Sequence, residues 1–245
     1  MHHHTPPAMT LALTVLFAAA PVTAQDRSVG DDLGDAGRDI LHVWSAPFRV
    51  STKDLEGVAV VTALFASTLP LDRTIQNWLE AHPHSLPLRL LGPFRESSPL
   101  NLIGRTKVLL PTSVALYAAG LAFDSEELRD AGMGCVVSNV STTLSRTLLN
   151  RIVGRQRPEV GGGPYVFRPF TFDEWDVRSF PGGHAANIMS CVSYWNHRFD
   201  LGVAEPLLYL VAGSVGAART ADRAHWTSDT VVGMAFGFAV GKAIA

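Results

Sequence analysis

The sequence predicts an all-α protein built as a helical bundle, and three observations lead to this prediction. Apolar residues recur at three- and four-residue spacing over 128–153, which is one face of a long helix that stops at Gly154. Helical patterns resume over 184–195, 206–219 and 225–244. No segment shows the strict alternation of apolar and polar residues that is typical of a half-buried strand.

The first 24 residues resemble a secretory signal. An apolar run from Leu11 to Ala20 is followed by Pro21 and by the small-residue pattern Val22-Thr23-Ala24, which is typical of a cleavage site. The residues before the run include three histidines and no Lys or Arg, so a translation start at Met9 or retention as an anchor stays open. We therefore predict a signal peptide or uncleaved anchor over 1–24, and export of the rest of the chain.

Residues 25–55 are predicted to form a polar leader and an amphipathic segment, and residues 56–245 a single helical domain. The stretch from Asp26 to Asp39 is rich in Gly and Asp, which predicts a mobile leader. Two nearly uncharged runs follow, Leu55–Leu71 and Val108–Phe123. Each is only marginally long enough to cross a bilayer, which needs about 20 apolar residues, so the number of spans stays open.

Prolines and glycines interrupt the helical pattern in several connecting segments. Residues 73–82 have the spacing of a short interfacial helix, and residues 84–104 are interrupted by three prolines. The segment 154–181 contains three consecutive glycines and four prolines, which predicts a long irregular loop. Long loops of this kind are usually functional or disordered.

Composition excludes some classes of function. The chain has 20 basic and 22 acidic residues and a formal net charge of -2, so no general attraction to nucleic acid is expected. Its hydrophobic content of 47% and mean hydropathy of +0.17 lie between those of soluble enzymes and of proteins made mostly of membrane spans. The two cysteines, Cys135 and Cys191, lie in apolar stretches, and we expect buried free thiols rather than a disulfide or a metal site.

Three short blocks at helix and loop boundaries carry candidate chemistry. The first is Gly154-Arg155-Gln156-Arg157-Pro158, where the proline ends the helix and is expected to turn both arginines outward. Two planar guanidinium groups suit the oxygens of a phosphate. The structural alternative is a basic helix C-terminus that complements the helix dipole.

The second block is Phe180-Pro181-Gly182-Gly183-His184, which opens an apolar helix. Two glycines let backbone N–H groups approach an anion, and a helix N-terminus adds the positive end of its dipole. His184 would then lie within reach of the bound oxygen. Taken alone, an ordinary glycine-containing turn with a surface histidine is the simpler interpretation.

The third block runs from Ala218-Arg219 through His225 to Asp229. A spacing of four predicts that His225 and Asp229 share one helix face, where the carboxylate accepts the proton on Nδ1 of the imidazole. That bond would leave Nε2 unprotonated and directed at a substrate. The structural alternative is a capping pair at the start of a helix.

In this order, the blocks resemble the signature of the type 2 phosphatidic acid phosphatases, which share a helical core with vanadium-dependent haloperoxidases and class A acid phosphatases. The family signature reads Lys, six residues, Arg-Pro; then Pro-Ser-Gly-His; then Ser-Arg, five residues, His, three residues, Asp. This chain departs from it at Asn150, Gly182 and Ala218, and each departure removes a charge or a phosphate hydrogen bond. Arg151 and Arg155 are candidates to restore the missing charge.

The resemblance implies a helical bundle of the phosphatase and haloperoxidase kind that uses no metal ion. His225 would attack phosphorus through Nε2, Asp229 would orient it, and His184 would protonate the leaving group and later activate water. Arginines and backbone amides would stabilise the equatorial oxygens in place of Mg²⁺. The substrate-binding residues implied are Arg157, Arg219, Gly183, Gly182, Arg155 and Asn150.

Export and borderline apolar helices favour a phosphorylated membrane lipid as substrate, hydrolysed at the periplasmic face of an inner membrane. Three alternatives stay open. The first is a soluble periplasmic acid phosphatase acting on small phosphate esters. The second is a haloperoxidase-like protein that holds vanadate in the same cage, the one case in which a cofactor is expected. The third is a catalytically impaired membrane protein, which the three departures suggest.

Overall fold

The computed structural model describes residues 27–245, and this part of the chain is all-α, which confirms the predicted fold class. Within it, nine α-helices alternate with short 3-10 turns, and the extended backbone is limited to a single bridge between Arg155 and Phe167. The predicted signal segment 1–24 lies outside the described residues. The helices are α1 Val29–Ser45, α2 Thr52–Thr68, α3 Asp72–Ala81, α4 Leu86–Leu90, α5 Thr106–Ala122, α6 Glu126–Val153, α7 Gly183–Arg198, α8 Ala204–Ala221 and α9 Thr227–Ile244.

Helix α1 corrects the prediction of a mobile leader from Asp26 to Asp39. The hydroxyl of Ser28 accepts a hydrogen bond from the Asp31 N–H, and the Asp31 carboxylate accepts one from the Ser28 N–H, which is a capping box. The buried Asp32 pairs with Arg129 of α6 at 2.6 Å. The Gly and Asp residues that indicated a loop therefore belong to a helix docked on the bundle.

Helices α7 and α9 pack closely because glycines occupy one face of α9. Gly233, Gly237 and Gly241 are spaced by four residues, and a Cβ atom at each would overlap a backbone carbonyl oxygen of α7 or of the residue preceding it. Small residues at such a spacing let two helix backbones approach each other. Since the second block opens α7 and the third block leads into α9, this contact holds the two blocks together.

Cys135 of α6 and Cys191 of α7 form a disulfide, which corrects the expectation of two free thiols. Both are fully buried, in a core cluster with Leu109, Ile188 and Val215. Disulfides persist in oxidising compartments, so this bridge is compatible with the predicted export.

One segment of the described chain, Asp54–Ala81, is long and apolar enough to cross a membrane by length and composition alone. It comprises α2 from Asp54 onward, the turn Leu69–Leu71 and α3. None of the residues in its most apolar stretch of 18 is buried. Leu55, Val58 and Val60 are each more than half exposed. The second predicted run forms α5, a shorter apolar helix of 17 residues.

The irregular loop predicted after α6 is confirmed between Gly154 and Gly182. Gly154 ends α6 in the left-handed region at φ 58°, and a Cβ atom there would overlap the carbonyl oxygen of Arg168. The loop therefore folds back over the end of α6. Its two ends lie next to each other, because the Ser179 N–H donates to the carbonyl oxygen of Arg155.

The disulfide generates a prediction about stability. It closes a loop between positions 56 residues apart, for which chain-entropy arguments give about 4 kcal/mol of stabilisation. The double variant Cys135→Ala/Cys191→Ala should therefore unfold at a lower temperature than the wild type, measured by differential scanning fluorimetry in detergent. Thiol titration of denatured, unreduced wild type is the control, and two reactive thiols there would contradict the bridge.

Candidate active site

The three sequence blocks meet at one end of the bundle and are joined by hydrogen bonds. The first block reaches the third through the Trp226 indole N–H, which donates to the carbonyl oxygen of Gln156 at 2.8 Å. The second reaches the third through the Gly182 N–H, which donates to the carbonyl oxygen of Asp229 at 2.8 Å. The predicted grouping of the blocks is therefore present in the fold.

His225 is buried, and its ring is held by a backbone carbonyl rather than by a carboxylate. Nδ1 lies 2.7 Å from the carbonyl oxygen of Ser179. Because a carbonyl can only accept, Nδ1 carries the proton and Nε2 keeps its lone pair. This corrects the predicted direct bond to Asp229. Helix α9 begins at Thr227, so His225 precedes the helix and a spacing of four does not place the two residues on one face.

Asp229 acts on His225 through Ser179, a residue that the sequence analysis missed. One carboxylate oxygen of Asp229 accepts hydrogen bonds from the Ser179 hydroxyl and from the Trp226 N–H, and the other accepts from Arg155 at 2.5 Å. Ser179 is fully buried. Its carbonyl oxygen accepts the hydrogen bond from the imidazole of His225, and its hydroxyl donates to Asp229. Burial raises the pKa of Asp229 to about 6, against the opposing effects of Arg155 and Ser179.

Arg155 faces inward, in contrast to the prediction that Pro158 turns it outward. Its side chain is fully buried, and all five of its N–H donors are used. The acceptors are the carbonyl of Pro164, the hydroxyl of Ser228 and the carboxylates of Asp72 and Asp229. In this structure Arg155 is therefore not available to a phosphate. Asp72 was also missed, and its one sequence signal is a charge placed directly after the apolar run.

Two further residues that were predicted to bind the substrate are bonded to backbone carbonyls instead. The Asn150 amide donates to the carbonyl oxygen of Phe180. The Gly182 N–H is occupied by Asp229, and a Cβ at position 182 would lie 3.0 Å from that same carbonyl oxygen, so a serine would be tight there. Ala218, the third departure, is fully buried. Asn150 and Gly182 thus shape the site without offering a free donor.

Arg157, Arg219 and His184 keep polar atoms without a partner. Nε2 of His184, Nε of Arg157, and Nε and Nη1 of Arg219 are buried and make no hydrogen bond to any described residue. The carboxylates nearest to Arg219 are those of Glu96 and Asp222, at 3.4 and 3.7 Å. The first N–H groups of α7, beginning with Gly183, also lack intrahelical partners. Buried donors of this kind, beside a helix N-terminus, form an anion-binding arrangement.

Positive charges surround the two histidines. Burial lowers the pKa of His184 to about 3, together with the charges of Arg219 and Arg105. Burial and the charge of Arg157 hold the pKa of His225 well below its usual range. Both rings are therefore neutral at neutral pH. A bound dianion would offset the arginine charges and raise both pKa values.

Two of the surrounding cations were missed by the sequence analysis. Arg105 directly precedes α5, and Arg146 lies on α6; the charges of both lower the pKa of His184. No motif marks Arg105. Arg146 is four residues before Asn150 and so lies on the same face of α6, which was the available signal.

Comparisons with known proteins point to one family of phosphatases. Residues 131–245 match the family model of the PAP2 superfamily, and this segment contains all three blocks. The chain is 31% identical over 87 residues to the lipid A 1-phosphatase of Porphyromonas gingivalis. That match covers 34% of this chain and 19% of that protein. No solved structure matches the chain. Among residues 27–245, no group of three His, Cys, Asp or Glu side chains is placed to hold a metal ion.

The low pKa of His184 predicts that anion binding strengthens as the pH falls. A bound dianion raises that pKa from about 3, so the complex takes up a proton that the free protein does not hold. Sulfate remains a dianion over this range, and its Kd should fall by up to about tenfold per pH unit below the pKa of the complex.

Quenching of tryptophan fluorescence measures this binding, since the Trp175 ring lies 5.4 Å from the guanidinium of Arg157. His184→Gln is the matched control and should lose most of the pH dependence. Equal sulfate affinity of the wild type at about pH 8 and about pH 5 would contradict an anion site beside His184.

Proposed function

Since residues 131–245 match the family model of the PAP2 superfamily, we propose that the chain is a phosphatase that hydrolyses phosphorylated membrane lipids through a phosphohistidine at His225. The observation that carries the proposal is a buried imidazole with a free Nε2, near arginine and histidine nitrogens that are buried and make no hydrogen bond. That combination suits a nucleophile facing a bound phosphate.

His225 supplies the nucleophile in this proposal. The carbonyl of Ser179 fixes the proton on Nδ1, and the lowered pKa keeps Nε2 unprotonated at neutral pH. In-line attack forms the bond from Nε2 to phosphorus while the bond from phosphorus to the leaving oxygen breaks. The Asp229 carboxylate, through Ser179, holds the ring as positive charge develops on it.

His184 supplies the proton for the leaving oxygen. The ring is neutral in the free protein, and the charge of the bound phosphate offsets Arg157 and Arg219, which raises the pKa of His184 and allows it to carry a proton. After the leaving group departs, His184 is neutral again and accepts a proton from the water that attacks the phosphohistidine. The water thus restores the proton that was donated.

Arg157 and Arg219 stabilise the equatorial phosphate oxygens. Arg157 is held by the ring of Trp175 and by a 3.1 Å bond from Nη1 to Glu159, so its orientation is set while Nε stays free. Backbone N–H groups at Gly183 add further donors. Because these groups supply the positive charge that the reaction needs, we propose that catalysis requires no metal ion.

A lipid substrate is supported by the position of the apolar segment Asp54–Ala81, which comprises most of α2, a turn and α3. Its Asp72 binds Arg155 at 2.7 Å, and its Phe65 packs edge-on against Phe180 of the second block with ring centroids 5.4 Å apart. If this segment lies in a bilayer, the site is beside the lipids. The similarity to a lipid A 1-phosphatase favours a phosphorylated lipid, and the disulfide favours a site on the periplasmic side.

Phosphate release tests the reaction. Wild type should release phosphate from phosphatidate in mixed micelles and, more slowly, from p-nitrophenyl phosphate, in the presence of EDTA. His225→Ala should abolish release, and His184→Ala should lower kcat by about 10²- to 10⁴-fold, the usual contribution of a positioned proton donor. His82→Ala changes an exposed histidine and is the matched control. Loss of activity in EDTA would contradict metal independence, and release unaffected in His225→Ala would contradict the nucleophile.

Membrane fractionation tests the location. The expressed chain should stay with the membrane through salt and carbonate washes and require detergent for extraction. Phe172→Cys places a thiol on the exposed loop beside the site, and a membrane-impermeant maleimide should label it in intact spheroplasts. Recovery in the soluble fraction would favour the soluble acid phosphatase, and labelling only after lysis would contradict a periplasm-facing site.

A further inference from the structure

We infer that Arg146 supplies the phosphate-binding charge that the family signature places at position 150, from one helical turn earlier. The inference rests on the proposed function and adds a residue to its substrate site. Position 150 contributes no charge in this chain because it holds an asparagine. The amide of Asn150 donates to the carbonyl oxygen of Phe180. The functional requirement for a third cation is then met by a different residue on the same face of α6.

The placement of Arg146 follows from the packing of α6 against α7. The two helices run antiparallel, so that Asn150 lies opposite Phe180 while Arg146 lies opposite Gly183 and Asn187. Nη1 and Cζ of Arg146 are 2.7 and 2.9 Å from the point that a Cβ of Gly183 would occupy. The guanidinium therefore covers the first turn of α7, beside the backbone N–H groups that point at the proposed phosphate.

Arg146 has no counterion within the described part of the chain. Its one side-chain hydrogen bond there runs from Nε to Oδ1 of Asn187, at 3.3 Å. Burial and the nearby charge of Arg157 lower the pKa of Arg146, and the charge of Arg146 in turn acts on His184. Like charges held together without a carboxylate are unfavourable by themselves, and a bound dianion would relieve that repulsion.

Asn187 holds Arg146 in this orientation. It is buried, and its Oδ1 accepts hydrogen bonds from Arg146 and from the Thr143 hydroxyl, while its amide donates to Thr106 at 2.7 Å. Because the amide group is fixed from both sides, its oxygen stays directed at Nε of Arg146. Nη1 of the guanidinium remains on the side of Gly183.

The two residues that the sequence analysis considered for this role do not fit it. Every N–H donor of Arg155 is occupied by protein acceptors. Arg151 follows Asn150 directly, so its side chain leaves α6 about 100° away from the face that meets α7. Arg146 alone among the three lies against the second block.

Matched charge removals on α6 test the inference. Arg146→Gln should lower kcat/KM for phosphatidate by about 10²- to 10³-fold, the usual loss for one preorganised donor, and should weaken inhibition by orthovanadate in the same direction. Arg151→Gln makes the same change five residues later, on another face of α6, and should leave both values near wild type. Arg146→Met keeps an unbranched apolar side chain without the charge and should behave like Arg146→Gln, with thermal unfolding confirming that each variant is folded.

A rescue experiment separates a phosphate ligand from a merely structural arginine. Introducing Asn150→Lys into Arg146→Gln puts a cation at the signature position and should recover at least about tenfold of the lost kcat/KM and vanadate affinity. Asn150→Met in the same background is the control for losing the amide and should recover nothing. Full activity of Arg146→Gln, or equal results for Lys and Met, would overturn the inference and leave the proposed function standing. A wild type that releases no phosphate from any ester would instead overturn the proposed function.

Discussion

The arrangement of the site depends on the buried guanidinium of Arg155. A charge taken out of water must have a partner for each of its donors, because an uncompensated buried charge costs several kcal/mol. The partners come from distant parts of the chain: Asp72 at the start of α3, Pro164 in the long loop and Asp229 in α9. Satisfying Arg155 therefore brings these elements to one point. Once Asp229 is fixed there, its bond to the intervening serine fixes the ring of His225.

The charged residues of the site divide into two groups with opposite roles. Arg155 is paired in the interior with two carboxylates, those of Asp72 and Asp229, and Asp229 is linked to the imidazole of His225 through Ser179. Arg157, Arg219 and Arg146 lie on the other side. Arg146 has no acidic partner among the described residues, and Arg157 and Arg219, although each is near a carboxylate, keep buried N–H groups that make no hydrogen bond. The first group stabilises the fold and orients the nucleophile. The second generates the field that lowers the histidine pKa values and that a phosphate would neutralise.

The sequence predicts this fold well where the pattern is local and poorly where it is not. The long helix α6 and the joining of the three blocks follow from apolar spacing and from motifs. The direct bond between His225 and Asp229 was predicted wrongly because a spacing of four is informative only inside a helix, and α9 begins two residues after His225. The pair of Arg155 with Asp72 joins residues 83 positions apart, and no local pattern encodes it. The helix α1 was missed because its Gly and Asp content indicated a loop, and the Ser28 and Asp31 capping box was not considered.

A departure from a signature sequence does not have the same meaning as a missing contact. A sequence motif specifies which residue type stands at each position of the chain. A phosphate, however, is bound by atoms at the far ends of side chains. Successive turns of a helix are about 5.4 Å apart, a distance that a long side chain such as arginine can bridge. The cation expected at position 150 can therefore come from Arg146, provided that no side chain at Gly183 blocks its path. By the same reasoning, the missing hydroxyl at Gly182 reflects the close approach of α9 rather than the loss of an anion site. The loss of a cation at position 150 is thus compatible with the same number of cations near His225.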